Sequence, residues 1–228
     1  MLRGPSYLRD NVKVSSEISL FKLVAIDFFK MPQHKDRLNV ASRPDNWVAK
    51  MNERARAHPE QGPAPYTFIL NILIPSQAPG LMSMMIYFQA RNPADLQSNL
   101  PEAKLLRDFI GGDDAYRNSR FKLLARTRGS PFLRRLMGVK PVLLGTKLKM
   151  PYFSGPNHFE IDIDVGSQAF AEYVTRVARD AVASTFELDL AFTIEGRAED
   201  ELPERIFGTA HFNKVNLHGT GLSLPPRA

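Results

Sequence analysis

Hydrophobic and polar positions along the chain alternate between strand-like and helix-like periods. Runs rich in branched and aromatic residues predict strands at Leu20–Phe29, Tyr66–Ile74 and Leu81–Ala90. The turn-rich residues 75–80 between the last two runs predict a β-hairpin. Both runs of this hairpin lack polar alternation, which predicts that the sheet is covered on both faces there.

Two short helices are predicted, one at Asn46–Ala57 with Asp45 as its N-cap and one at Leu100–Ile110 that stops before two glycines. Apolar spacings of three and four predict a longer helix that begins after Ser167. The remaining strand-like segments are Phe121–Arg128, Phe132–Met137, Val142–Met150, Phe159–Val165, Phe186–Glu195 and Ile206–Leu217.

Strands outnumber helices, and hairpins can join most neighbours in the sequence. The pattern therefore predicts an α+β fold, with a mainly antiparallel curved sheet and the long helix packed on one face. By analogy, a sheet closing over a long helix would be START-like and would leave a ligand-sized cavity. We expect a single domain over residues 1–218 and a flexible tail over residues 219–228.

Positive charge is concentrated in one segment of this chain of 228 residues. Residues 115–150 contain ten Lys or Arg and no Asp or Glu, whereas residues 151–228 contain six bases and twelve acids. Such a segment can attract an anionic membrane, at about 1 kcal/mol per base. The candidate ligand or membrane contacts are Arg117, Arg120, Lys122, Arg134, Arg135, Lys140, Lys147 and Lys149.

The same bases have a purely structural interpretation. On strands they would alternate with core residues and pair with acids on a neighbouring strand. If Phe121–Arg128 lies beside Phe159–Val165, the bases of the first strand meet Glu160, Asp162 and Asp164 of the second. These three acids share one face of a predicted strand, where the alternatives are structural pairing, contact with a headgroup or partner, and metal binding or catalysis.

Other motifs favour structural interpretations over chemistry. Asp113 and Asp114 can cap a turn and bridge to Arg117 and Asn118, although ligand contact is the alternative. The Met-rich strand LMSMMIYF could line a lipid pocket or form plain core. Glu195, at the end of a predicted strand, could belong to a salt bridge or to a site.

Composition removes several classes of function. With no cysteine there is no thiol catalysis, disulfide or Cys-ligated zinc. No dinucleotide fingerprint, Walker A motif, HExxH motif or nucleophile elbow is present, so we expect no cofactor, no metal and no catalytic residue. The pI near 9.6 is compatible with nucleic acid, but no nucleic-acid-binding signature accompanies it, so none is expected. We expect a cytoplasmic protein, peripheral on membranes.

Several long blocks resemble the C-terminal domain of the plant "enhanced disease resistance 2" proteins, a eukaryotic domain of unknown function. In order they are RGPSYLRDNVKVSSEISLFKLVAIDFF, DDAYRNSRFKLL, GVKPVLLG, YFSGPNHFEIDIDVGS, LAFTIEG and DELPERIFG. In plants this domain usually follows a pleckstrin-homology domain and a START lipid-binding domain. The motif residues that the resemblance singles out are Asp113, Asp114, Asn118, Gly155, Asn157, Glu160, Asp162, Asp164, Gly166, Glu195, Glu201, Pro203 and Glu204.

The resemblance implies a domain of membrane-associated, lipid-linked proteins, with no established reaction. Our leading hypothesis is a non-enzymatic lipid-binding or membrane-associating domain whose partner is a lipid or an anionic membrane surface. One alternative is a protein-interaction module without a small ligand, contacting a protein partner through Glu201, Pro203, Glu204 and Arg205. Another alternative is an enzyme whose catalytic residues the sequence does not reveal.

Overall fold

The computed structural model describes residues 1–31, 34–74, 81–128, 141–165, 187–213 and 222–223. The chain divides into two compact units, each built from three separate stretches of sequence. The first unit comprises Met1–Lys22, Ala90–Lys147 and Phe186–Asn213, and the second comprises Leu23–Gln89, Leu148–Thr185 and Lys214–Ala228. The single domain and flexible tail expected from the sequence stay predictions.

The first unit contains a four-stranded antiparallel sheet with a short N-terminal hairpin. The hairpin, residues 1–14, holds β1 (Leu2–Arg3), α1 (Tyr7–Asp10) and β2 (Lys13–Val14). The sheet runs in the order β11, β10, β6, β7, and its strands are β6 (Phe121–Arg128), β7 (Val142–Leu143), β10 (Glu187–Ile194) and β11 (Gly208–Asn213).

Buried and exposed residues alternate along β11, the edge strand of this sheet. On β11, Ala210 and Phe212 are buried while Thr209 and His211 are exposed. Besides α1, the described part of the unit contains the helices α3 (Pro101–Gly111) and α4 (Asp114–Arg120). Aromatic packing joins α3 to the sheet. The Phe109 ring of α3 contacts Phe121, which in turn contacts Phe192.

The second unit has a six-stranded mixed sheet. Its strands are β3 (Phe21–Met31), β4 (Thr67–Ile74), β5 (Leu81–Ala90), β8 (Tyr152–Gly155), β9 (His158–Asp164) and β12 (Leu222–Ser223). They lie in the order β12, β3, β5, β4, β9, β8. The β4/β5 and β8/β9 pairs are antiparallel, whereas β4/β9 and β3/β12 are parallel.

One helix and two methionine-bearing strands build the core of this second unit. The helix α2 (Trp47–Ala57) buries Val48 against Met85 and Tyr87. Met82 and Met84 are also buried. The Met-rich strand is therefore core in this structure.

The α+β class and the β4/β5 hairpin predicted from the sequence are confirmed. Two local predictions are wrong. Asn46, and not Asp45, is the N-cap of α2, because its side chain accepts the Ala49 N–H at 3.1 Å. The strand predicted at Val142–Met150 stops after two residues, and a 3₁₀ turn follows in which Gly145 packs against the α4 backbone at Asn118.

Two predicted elements, the long helix after Ser167 and the strand at Phe132–Met137, lie outside the described residues. Over the ranges that the structure describes, no helix is long and apolar enough to cross a bilayer.

Candidate functional site

Lys122 is the centre of a buried group of charges in the first unit. It lies on β6 with only 6% of its surface exposed. Its Nζ lies 2.6 Å from Glu204 Oε1 and 3.1 Å from Glu195 Oε2. Both carboxylates are themselves buried, so this lysine is matched by two anions inside the protein.

Arg3, on β1, supplies the second cation. Its guanidinium lies 3.3 Å from Glu195 Oε2 and 3.7 Å from Glu204 Oε1, and Nη1 donates to the Gly196 carbonyl at 2.6 Å. The same group stacks over the Tyr7 ring at 4.9 Å. We call Arg3, Lys122, Glu195 and Glu204 the ion cluster; it holds two cations and two anions.

The ion cluster favours the charged form of Glu195. Burial alone would raise the pKa of Glu195, but Lys122, Arg3 and Arg197 together lower that pKa below the ordinary glutamate value. Glu204 is additionally bonded by the Arg3 and Gly196 N–H groups, each at 3.2 Å. Every charge in the cluster is thus compensated by a neighbour, which is the condition for keeping ions inside a protein.

A second buried pair lies beside the ion cluster. Glu201 Oε2 accepts from Arg120 Nη1 at 2.7 Å and from the Arg197 and Ala198 N–H groups at 2.6 and 3.0 Å. Burial raises the pKa of Glu201, yet these donors outweigh burial and hold the pKa below its usual range. Arg197 also bonds Glu195 Oε1 at 3.0 Å, which links the two groups of charges.

The structure therefore places several predicted membrane contacts in internal interactions. Arg120 and Lys122 neutralise buried carboxylates. Arg117 bonds the Phe109 and Ile110 carbonyls at 3.0 and 2.6 Å and Asp114 at 2.9 Å. Lys147 and Lys149 are exposed, and Arg134, Arg135 and Lys140 lie outside the described residues.

The Asp113–Asn118 motif has the structural role that its spacing suggested. Asp113 is the N-cap of α4 and accepts the Tyr116 N–H at 2.7 Å. Asp114 pairs with Arg117 one turn later. Asn118 is the residue against which Gly145 packs, and a Cβ at that glycine would overlap its backbone.

The ELPERIFG box also faces inward. Glu201 and Glu204 are 6% and 4% exposed and belong to the buried charges described above. Pro203 is half-buried between them. Arg205 bonds Glu102 and the Ile18 carbonyl, both at 2.8 Å. The two glutamates are therefore occupied internally and offer no carboxylate surface to a protein partner.

In the second unit, two of the three acids on β9 are buried, although strand alternation had suggested a polar face. Glu160 and Asp162, on β9, are both 0% exposed. Glu160 accepts the Val40 and Ala41 N–H groups at 2.9 and 2.8 Å, and Asp162 accepts the Asn39 N–H at 2.9 Å. Asn39 has a left-handed backbone, and a 3₁₀ turn follows it directly. Three successive N–H groups therefore converge on the acids.

Asn71 joins these two acids from β4. Its Nδ2 donates to Asp162 Oδ1 at 2.8 Å and lies 3.3 Å from Glu160 Oε1. We call Glu160, Asp162 and Asn71 the carboxylate pair with its amide. Burial raises the pKa of Asp162 well above its ordinary value, and the charge of Glu160 raises it further. Burial thus favours the protonated form of Asp162, although the buried Arg37 also interacts electrostatically with this acid.

The pairing that the sequence suggested between the acids of β9 and the bases of β6 is wrong. The neighbours of β9 are β4 and β8, and Asp164 meets the backbone of Lys149. The bases of β6 pair with β10 instead, where Arg126 lies 3.1 Å from Asp189.

The remaining motif residues shape the turn between β8 and β9. Gly155 leaves room for the His158 ring, which a Cβ would overlap. Asn157 bonds Asn52 of α2 at 2.7 Å and its carbonyl accepts the Thr67 N–H. Gly166 lies outside the described residues. Among the residues that the structure does describe, no three His, Asp or Glu side chains are placed to hold a metal ion.

A cleft of about 680 Å³ opens beside the ion cluster in the first unit. Its floor is the ion cluster, its rim carries Lys13 and Lys147, and its apolar wall includes Leu2, Val142 and Leu143. We call it the basic cleft. Sequence reasoning found Lys147 and Lys122 but missed Arg3 and Lys13. The basic N-terminal stretch MLRGPSYLRDNVKV, with an apolar residue beside each base, was the available signal.

Comparison with known proteins identifies the chain's relatives. A sequence profile described as "Protein ENHANCED DISEASE RESISTANCE 2, C-terminal" matches residues 1–216. Over 217 residues the chain is 30% identical to "Protein ENHANCED DISEASE RESISTANCE 2-like" of Arabidopsis thaliana, which covers 95% of this chain and 27% of the relative. The chain thus spans less than a third of that protein's length. No solved structure matches it.

Proposed function

The chain belongs to the family of the C-terminal domain of Protein ENHANCED DISEASE RESISTANCE 2, and from that premise we propose that it is a non-enzymatic domain that associates with anionic membranes. The observation that carries the proposal is the surface of the N-terminal hairpin, residues 1–14. There, exposed apolar side chains stand next to exposed bases. This combination is what a peripheral membrane contact needs.

The hairpin exposes apolar side chains. Leu8 on α1 is 46% exposed, and Val12, just before β2, is 52% exposed. An isolated exposed leucine needs no explanation, but two exposed apolar residues on one short hairpin give it apolar surface that a membrane can cover. Inserted among lipid headgroups, each would gain about 25 cal/mol for every Å² removed from water.

Bases occur on the same hairpin and on the rim of the basic cleft. Lys13 follows Val12 directly and lines the basic cleft, whose rim also carries Lys147. Both lysines are exposed, and neither pairs with a carboxylate within the described part of the chain. Arg9 pairs with Glu199 at 3.5 Å, but both side chains are largely exposed, so that pair is weak.

The expected binding is weak and reversible. Each base near an anionic surface contributes about 1 kcal/mol, and this attraction decays within a Debye length of about 8 Å at physiological salt. A few bases and two apolar side chains therefore give a salt-sensitive contact. Stable attachment would need a second membrane signal elsewhere in a longer protein or a second copy of the domain.

Vesicle co-sedimentation tests this proposal. We expect binding to vesicles of phosphatidylcholine with phosphatidylserine, weak binding to phosphatidylcholine alone, and a fall in binding as salt is raised. The double substitution Leu8→Ser with Val12→Ser should reduce binding to the anionic vesicles because it removes the apolar part of the contact.

The matched control is Leu23→Ser, which alters an exposed apolar residue of the second unit, 37% exposed. It should bind vesicles as the unaltered chain does. The proposal fails if the unaltered protein leaves anionic vesicles unbound at low salt, or if Leu23→Ser reduces binding as much as the hairpin substitutions do.

A further inference from the structure

The basic cleft has the size of a small-molecule site. Its volume of about 680 Å³ lies within the range of roughly 300–1,000 Å³ that is typical of ligand pockets. It combines an apolar wall, including Val142 and Leu143 of β7, with charged groups that converge from β1, β2 and β6. Such a combination of apolar surface and a few placed charges binds ligands with defined orientation.

The charges on the floor of the cleft cancel. Lys122 and Arg3 each lie within 4 Å of both Glu195 and Glu204. The outer oxygen of Glu195 is taken by Arg197, and the outer oxygen of Glu204 by the Arg3 N–H. The floor is therefore a neutral, fully bonded platform, and it contributes fixed geometry without net attraction for an anion.

The rim keeps its positive charge. Lys13 and Lys147 line the cleft from β2 and from the turn after β7, and the described residues give neither of them a carboxylate partner. As far as the described side chains show, the cleft consequently carries two uncompensated positive charges, both on lysine ammonium groups. Ammonium groups are compact, strongly hydrated point charges that suit phosphate oxygens.

We propose that the basic cleft binds a phosphate monoester, with Lys13 and Lys147 as its ligands. A phosphate monoester carries a charge of about −1.5 to −2 at pH 7, which matches the two rim lysines. A phosphodiester carries a single negative charge and leaves one lysine unmatched. If the phosphate monoester is the headgroup of a lipid, this inference rests on the proposed membrane association. If it is a soluble molecule, the inference is independent of that proposal.

The rim lysines and the headgroup are tested together with vesicles. Phosphatidic acid presents a phosphate monoester, whereas phosphatidylserine presents a phosphodiester. With vesicles matched in surface potential, the unaltered chain should bind those with phosphatidic acid several-fold more tightly. Lys13→Ala and Lys147→Ala should each weaken that binding about 5-fold, and the double variant about 25-fold. Lys50→Ala, an exposed lysine of α2, is the control and should bind normally.

A soluble ligand separates this inference from membrane association. Glycerol 3-phosphate, followed by NMR titration, should shift resonances of the cleft residues, and glycerol should not. Binding of glycerol 3-phosphate that needs both lysines, without vesicle binding, would support the cleft and overturn the membrane proposal. Equal binding of matched phosphatidylserine and phosphatidic acid vesicles would overturn the phosphate site and keep membrane association. A double lysine variant that behaves like Lys50→Ala in both assays would also overturn the phosphate site.

Discussion

The first unit buries its carboxylates beside lysine and arginine, whereas the second buries two carboxylates beside each other. In the ion cluster, Glu195 and Glu204 face Lys122 and Arg3, and the cations around Glu195 hold its pKa below the ordinary value. In the second unit, Glu160 and Asp162 face three backbone N–H groups and the Asn71 amide, and burial raises the pKa of Asp162. Opposite charges surround the first group, whereas backbone and amide dipoles surround the second, with the buried Arg37 also acting on Asp162.

This difference gives the two groups opposite dependences on pH. The pKa of Glu195 is depressed on folding, so its stabilisation is present above the ordinary glutamate pKa and is lost as pH falls through the folded value. The pKa of Asp162 is raised, so its contribution is present below the ordinary aspartate pKa and is lost as pH rises through the folded value. One chain thus contains both kinds of buried acid.

The largest expected effect comes from breaking the ion cluster. Lys122→Ala leaves Glu195 and Glu204 buried with one remaining cation, Arg3, between them. Removal of one partner from a buried ionic group typically costs about 3–5 kcal/mol. Urea denaturation should show that loss in the free energy of unfolding, and a loss below about 1 kcal/mol would mean that water already reaches the cluster.

The next effect concerns the titration of Asp162. Asp162→Asn replaces the titrating group with a neutral amide of the same shape. We expect the unaltered protein to lose stability as pH rises through the raised pKa of Asp162, by up to about 1.4 kcal/mol per pH unit for one proton. The variant should lose less over the same interval in urea denaturation at a series of pH values. An unchanged slope would assign the proton to another group.

The smallest effect belongs to an exposed pair in the same sheet as the ion cluster. Arg126 and Asp189 lie 3.1 Å apart, but the arginine side chain is 63% exposed. Arg126→Ala should lower the free energy of unfolding by no more than about 1 kcal/mol, because surface pairs are weak and screened. Urea denaturation at low and high salt checks this expectation. If Arg126→Ala lost as much free energy of unfolding as Lys122→Ala, burial would not explain why the two interactions differ in strength.

Local chemistry made the hairpin strands and the α4 cap predictable. Continuous apolar runs marked β4 and β5, and the spacing of Asp113 and Asp114 before Arg117 indicated the cap and bridge that the structure contains. Each of these features depends on residues that are adjacent or a few positions apart.

The buried charges depend on distant parts of the chain. Lys122 donates a hydrogen bond to Glu204, which lies 82 positions away in the sequence. Glu160 accepts one from the Val40 N–H, 120 positions away. Alternation assigns such polar residues to solvent because it registers only their own strand. The donors at residues 39–41 are backbone N–H groups of a turn. The pattern of side chains along the sequence does not show where such N–H groups will point.

The order in which the two units use the chain also matters while the protein is being made. The chain passes between the units five times, so neither unit corresponds to a continuous fragment. When β6 leaves the ribosome, its partner β10 has yet to be synthesised, since 58 residues separate Arg128 from Glu187. The apolar face of β6 must therefore wait without this neighbour, and apolar strands that are exposed during synthesis are prone to aggregate.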